Sequence, residues 1–252
     1  FEVSLEALTS RERSRQVVTA REVAALLLRD GSPASWRQIA SALGLRSHSG
    51  AMRACARARR LLAADADPGV RRTVRRRFRV RVLDDNAALV RSADVVVLAV
   101  KPQQFAGVVA GIAPHLSRRQ LVISIAAGIT LRWLRQRVGG VPLARAMPNL
   151  PATVGKGFAA LTAAPSATTR HRAIARAIFE AVGEIVELPE RHFDAVTAVS
   201  GSGPAYVFFL VQAWEAAAAS LGLSSAVASR AIRQTLAGSV RLLQASGEPA
   251  GA

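Results

Sequence analysis

From Arg81 onward, short apolar, β-branched runs alternate with segments of helical period, and no other feature of the 252-residue chain restricts its fold as much. Val80–Leu83, Asp94–Val100 and Leu121–Ile125 read as strands. Asp85–Ser92, Gln103–His115 and Leu131–Val138 read as helices between and after them. A sheet with one wet face would show polar residues at every second position. Runs that are apolar throughout belong instead to a parallel sheet covered by helices on both faces. Ligands of such sheets lie beyond the carboxyl ends of the strands. Here those ends are Lys101-Pro102, Ala126-Ala127-Gly128 and Met147-Pro148-Asn149. After Gly183–Leu188 the pattern turns almost wholly helical. Arg191–Gly222 and Ser224–Ala245 carry more Ala-rich apolar surface than one hairpin can cover, which predicts a homo-oligomer.

Composition narrows the class further. With 50% hydrophobic and 20% charged residues the chain has ample core and is not of the disordered type. The lone Cys55 excludes a disulfide framework and fits a reducing compartment. His48, His115, His171 and His192 lack ligand spacing, so no metal site is expected. Apolar runs such as Ala93–Val100 break after about eight residues, too few to span a bilayer. No basic-then-apolar signal opens the chain at Phe1. The expectation is a cytoplasmic protein with no membrane partner.

The net charge of +17 is unevenly spread. Residues 1–80 carry 17 Arg against 7 acids, about three times the positive charge per residue of the remainder. Apolar residues recur at helical spacing from Val17 to Leu28, and a second short helix is expected over Ser35–Leu43. A third is expected over Gly50–Ala63, its open face holding Arg53, Arg57, Arg59 and Arg60. The last two, joined through Leu43-Gly44-Leu45-Arg46, read either as a helix-turn-helix or as an ordinary three-helix bundle. Asp65–Pro68 is a turn signal. Arg71–Arg79, with six arginines, reads as a solvated linker helix or a nucleic-acid patch.

Phe1-Glu2-Val3, Ser10-Arg11-Glu12-Arg13-Ser14-Arg15, Leu43-Gly44, Arg46 and His48-Ser49 together resemble the C-terminal DNA-binding domain of bacterial chromosomal replication initiators, over about residues 1–75. The resemblance implies duplex DNA as a partner, with Arg13 and Arg15 in the minor-groove loop and Arg46, His48 and Ser49 at the major groove. Ser47 and Gly50 depart from that family's pattern, each removing a base contact.

Four signals stand at strand ends or helix breaks in the remainder. Ala99-Val100-Lys101-Pro102 sets a cation where a cofactor lies, or is a surface lysine beside a turn. Ala126-Ala127-Gly128 allows close backbone approach to a flat ligand, or simply packs a helix on a strand. Met147-Pro148-Asn149-Leu150-Pro151 reads alone as punctuation. Ser200-Gly201-Ser202-Gly203-Pro204-Ala205-Tyr206 breaks a helix and restarts it with Pro near N1, leaving N–H groups for an anion.

In this order and spacing, with Asp94-Val95-Val96-Val97-Leu98 and Asp194-Ala195-Val196-Thr197, they resemble pyrroline-5-carboxylate reductases over residues 79–252. The resemblance implies reduction of pyrroline-5-carboxylate to proline with NADPH or NADH. It implies cofactor contacts from Asn86, Ala99, Val100, Lys101, Pro102, Ile125 and Ala127. Substrate contacts are implied for Glu190, Ser202, Gly203, Pro204, Ala205 and Tyr206, and no general acid is assigned. The family's opening strand and Gly-rich turn are not found, nor the second strand, and residues 1–78 stand in their place. The chain also ends before the family's closing loop and helices.

The expected fold class is α/β. An all-α helix-turn-helix domain (1–78) precedes an incomplete Rossmann-type parallel sheet (79–162). Residues 163–252 end the sheet and form an all-α dimerisation and substrate domain. The alternative reading is a DNA-binding protein with the reductase part as scaffold.

Overall fold

The computed structural model describes residues 62–78 and 80–249. They fall into two units, one ending at Gly201 and the other running from Ser202.

The first unit opens with a parallel pair, β1 (Leu62–Ala64) and β2 (Arg81–Leu83), joined by helix α1 (Pro68–Phe78). Asp67 starts α1, its carboxylate accepting from the Gly69 amide at 2.6 Å. The expected turn and arginine-rich helix are both present, and α1 buries none of its residues. A strand ahead of them was not legible. Most of the helix expected over Gly50–Ala63 lies outside the described residues, and its last positions belong to β1.

The second sheet has the order β3 (Val95–Leu98), β4 (Leu121–Ser124), β5 (Leu143–Pro148), β6 (Gly157–Ala163), β7 (Gly183–Glu187). Helices α2 (Asn86–Ser92), α3 (Pro102–Ile112), α4 (Leu131–Val138) and α5 (Thr169–Glu180) connect and cover the strands. Successive residues go to opposite faces, and both faces are buried along β4 and the first four residues of β5, while Val97 of β3 is exposed. Val96, Leu98, Val122 and Leu143 pack with Phe105, Val109 and Ile112 of α3 and Leu134 of α4. Leu121, Ile123, Ala144 and Ala146 pack with Ala175 and Phe179 of α5.

The first three strands are parallel, as the apolar runs require. β6 is not: it returns antiparallel to β5, and β7 follows it in parallel. The connection from Pro148 to Gly157 is too short for a crossover helix, so the chain turns back as a hairpin.

The second unit is a helical hairpin of α7 (Gly203–Ser220) and α8 (Ser225–Ser246). Its buried cluster is Ala218, Ala228 and Ile232, with Val211 and Leu236 against it. Phe208, Phe209 and Leu242 are 61%, 73% and 71% exposed. The helical run Glu190–Ser220 is long and apolar enough to cross a membrane by length and composition alone. The sequence reading counted no run of that length, because strand-sized apolar stretches set its measure.

Candidate active site

The carboxyl ends of β3, β4 and β5 are adjacent in the sheet, with Leu98 opposite Ser124 and Ser124 opposite Arg145. This brings three of the predicted loops to one rim. Beyond β3, Ala99 is exposed and Val100 packs on the core. Lys101 is the N-cap of α3 and Pro102 its first residue, a position where the missing N–H costs nothing. The Lys101 side chain makes no capping bond and is exposed.

Beyond β4, the Ile125 amide bonds the Leu98 carbonyl at 3.2 Å, tying the two strand ends together. Ile125 is half-buried and Ala127 is exposed. Gly128 has φ +74°, with nothing within 4 Å of the place a Cβ would take. Backbone conformation, not crowding, therefore requires glycine there. Thr130 then caps α4, accepting from the Trp133 amide at 3.1 Å. Asn86 is the first residue of α2 and exposed; Asp85 caps that helix, its two oxygens accepting from Ala87 and Ala88 at 2.8 and 3.1 Å.

Within the chain, Glu190 makes two contacts that its sequence context did not announce. One carboxylate oxygen accepts from the Leu131 amide at 2.7 Å and pairs with Arg145 at 3.0 Å. It thereby joins the N-terminus of α4 to strand β5. Arg145 is 3% exposed at its side chain, and its guanidinium lies over the Phe193 ring, 4.8 Å from the centroid. Its Nε and Nη2 have no hydrogen-bond partner. Sequence reasoning passed over Arg145 because a single charge in an apolar run carries no partner signal.

The Met-Pro-Asn loop was placed at the rim by the sequence, but the bonds of the Asn149 side chain were not legible. Its Oδ1 accepts from the Phe158 amide at 2.9 Å, and its Nδ2 donates to Ser200 Oγ at 3.0 Å. The Met-Pro-Asn loop is therefore fixed both to β6 and to the turn ahead of the second unit. That turn, Thr197–Gly201, follows the short helix α6 (Phe193–Val196) and has π-helical bonding. Such widened turns are frequent at functional sites. A Cβ on Gly201 would lie 3.0 Å from Met147 Cε, so the turn and the Met-Pro-Asn loop are in close contact.

The predicted break and restart at Ser200–Tyr206 is milder than expected. Ser202 keeps helical dihedrals, and the Ala205 amide already bonds its carbonyl at 2.9 Å. Fewer N–H groups are open there than a fresh helix start would leave. Ser202, Gly203, Pro204, Ala205 and Tyr206 begin the second unit, Ala205 and Tyr206 on its exposed surface. A cavity of about 260 Å³ lined by Leu161, Thr162, Arg172 and Glu187 shares no residue with the strand-end loops. Arg13, Arg15, Arg46, His48 and Ser49 lie outside the described residues.

Comparison with known proteins agrees with this geometry. Residues 190–252 match the family described as pyrroline-5-carboxylate reductase dimerisation. Residues 39–128 match that of the coenzyme F420-dependent NADP oxidoreductases. Residues 1–58 match the bacterial dnaA protein helix-turn-helix. Pyrroline-5-carboxylate reductase of Synechocystis is 41% identical over 181 residues, covering 71% of this chain and 67% of that one. The Pseudomonas aeruginosa enzyme is 43% identical over 190 residues, covering 73% and 70%. Among solved structures, the Plasmodium falciparum reductase with NADP bound has a TM-score of 0.70 at 25% identity, covering 90% of this chain and 76% of that one. The Streptococcus pyogenes reductase has 0.70 at 28%, covering 76% and 73%. With its strand-end loops, its helical hairpin and two thirds or more of these two curated relatives matched, this chain belongs to the pyrroline-5-carboxylate reductase family.

Proposed function

We propose that the chain reduces 1-pyrroline-5-carboxylate to proline, with NADPH or NADH as donor. The observation that carries this is the convergence of Ala99–Pro102, Ile125–Gly128 and Met147–Asn149 on one rim, at the ends of the three parallel strands β3, β4 and β5. When bound, the nicotinamide supplies the hydride that, with one proton, turns the C=N bond into CH–NH. The chain's own residues position and shield. Lys101, exposed at the rim, and Asn86, exposed at the start of α2, are the polar groups the proposal gives to the adenosine end of a dinucleotide. Ile125, Ala127 and the open backbone at Gly128 fit a flat ring.

The pyrophosphate end fits less well, since the sequence contains no Gly-x-Gly-x-x-Gly turn. Ser202–Tyr206 stand on the substrate side of the proposal, as does Glu190 through its hold on α4. The bonds that fix Asn149 keep the rim pre-shaped, and alignment of donor and imine is the main catalytic effect.

The proposal includes a homo-oligomer formed through residues 190–252 and a cytoplasmic location, the latter supported by the cysteine usage alone. DNA binding by residues 1–78 has the helix-turn-helix likeness as its sole support and forms no part of it.

Titration of NADPH fluorescence tests the reading. Without a glycine turn, several charge-assisted bonds of about 1.5–3 kcal/mol each are missing, so saturation should need roughly millimolar cofactor. Lys101→Ala should weaken it further. No saturable change with either cofactor would end the reading.

A further inference from the structure

β6 and β7 run parallel to each other and opposite to β3–β5, because the chain reverses between β5 and β6. Their carboxyl ends therefore lie at the end of the sheet away from Ala99–Pro102, Ile125–Gly128 and Met147–Asn149. Ligands of open α/β sheets bind in crevices outside the carboxyl ends of strands. This sheet has two such ends, and the proposed reaction uses one.

At the second end β6 and β7 part. Among the described residues the last bond between them runs from the Leu188 amide to the Leu161 carbonyl, at 3.1 Å. Beyond it β6 continues to Ala163, while the chain leaves β7 through Pro189 into a short helical turn at Glu190–His192. The cavity of about 260 Å³ opens in that gap, with Arg172 and Ala175 of α5 on its wall. Leu161 and Ala175 are buried, and with Leu188 and Pro189 they give the cavity an apolar lining.

Two opposite charges face this cavity with bonding capacity left over. Glu187 pairs with Arg176 at 3.3 Å through Oε1, and its Oε2 has no partner among the described residues. Arg172 stands one turn before Arg176 on the same face of α5. It donates from Nη2 to the Ala164 carbonyl at 3.4 Å and pairs with no carboxylate among the described residues. Arg176 also pairs with Glu180 at 2.7 Å, so Arg172, Arg176, Glu180 and Glu187 sum to zero charge. A lone anion would meet Glu187 here, and a lone cation would meet Arg172. A ligand carrying both charges suits the two at once.

We propose that this cavity is a second small-molecule site, for a free α-amino acid with a small apolar side chain. The ligand carboxylate lies on the Arg172 guanidinium, whose fork matches it. The ammonium donates to Oε2 of Glu187, and the side chain rests on Leu161 and Ala175. The volume is below the roughly 300 Å³ where pockets for drug-sized ligands begin, so nucleotides and longer peptides do not fit. Both charged groups are partly in water, so the affinity should be about millimolar. The proposal stands apart from the reductase reading, because the cavity shares no residue with the strand-end loops.

Saturation-transfer NMR on the full chain, with L-valine as the probe and no cofactor, tests it. Binding should be saturable. Isovalerate, which lacks the ammonium, and isobutylamine, which lacks the carboxylate, should each bind at least threefold more weakly. Arg172→Gln and Glu187→Gln should each weaken valine binding at least threefold. Both side chains are on the surface, so melting curves of the two variants should match the parent chain. Absence of saturable binding, or binding that neither substitution alters, overturns the proposal. Equal binding of valine and isovalerate with no effect of Glu187→Gln also overturns it, leaving an anion site alone.

Discussion

The five-stranded sheet and the helical hairpin use similar residues to opposite ends. In the sheet and its covering helices, Ile123, Leu143, Phe105 and Leu134 have no exposed surface. In the hairpin the 18-residue α7 buries Ala218 alone, and Phe208 and Phe209 face outward. The sheet region finds most of its cover within the chain, because helices pack on both faces, with Val97 of β3 left 44% exposed. A two-helix hairpin gives each helix one neighbour, so a helix apolar all round keeps most of its surface bare. Apolar content is thus no measure of how much core a region makes for itself. Residues 190–252 match a dimerisation family, and the oligomer proposed above would cover the second region's surface with another copy.

That contrast can be broken by substitution. Phe105→Ala, within the closed core, should cost about 3–5 kcal/mol and lower the midpoint of chemical denaturation without a change in slope. Phe208→Asp with Phe209→Asp should leave that midpoint nearly unchanged for a dilute chain, yet shift sedimentation from oligomer to monomer. Equal loss of folding stability in both cases would abolish the distinction.

Glu190→Ala should cost about 3 kcal/mol, because Arg145 would keep its charge nearly buried and lose its partner. Glu190→Gln should cost less, retaining an acceptor for the Leu131 amide, and comparison of the two melting curves checks it. Asp85→Ala, which removes the cap of α2, should cost about 1 kcal/mol.

The smallest expected effect is a slope in pH. Burial, and after it the Arg170 charge, hold the His171 imidazole below its usual range. The unfolded chain then binds the proton at higher pH than the folded one. Its contribution to stability is complete above pH 6.5 and falls away as the pH drops toward the lowered folded value. His171→Ala should flatten that slope in melting curves taken from pH 7.5 to 5.5.

Leu131–Val138 was legible to the residue, and the strands at Val95 and Leu121 nearly so, because a dry parallel strand has no polar interruption to confuse its ends. The rim loops were legible for the same reason: they begin where the strands stop. The reversal at β6 was not, since a hairpin and a crossover differ in what pairs with what, which residue pattern does not record. Arg145 escaped notice, and the bonds of Asn149 could not be read, because the partners Glu190 and Ser200 are 45 and 51 residues away. Glu190 was singled out through the family resemblance, but its contact with the α4 amide belongs to three dimensions alone.

The clamp at Asn149 bears on how the chain responds to cleavage. Leu150 and Val154 are 57% and 72% exposed, a natural place for a protease to cut. The residues on either side are held independently of that peptide: Asn149 and Phe158 exchange a backbone bond at 3.1 Å, and the Asn149 side chain holds the Phe158 amide as well. Met147 and Pro148 continue the pairing opposite Ala160 and Ala159. A chain nicked after Val154 should run as two pieces in detergent and as one species in native buffer, its halves joined without a covalent link between them.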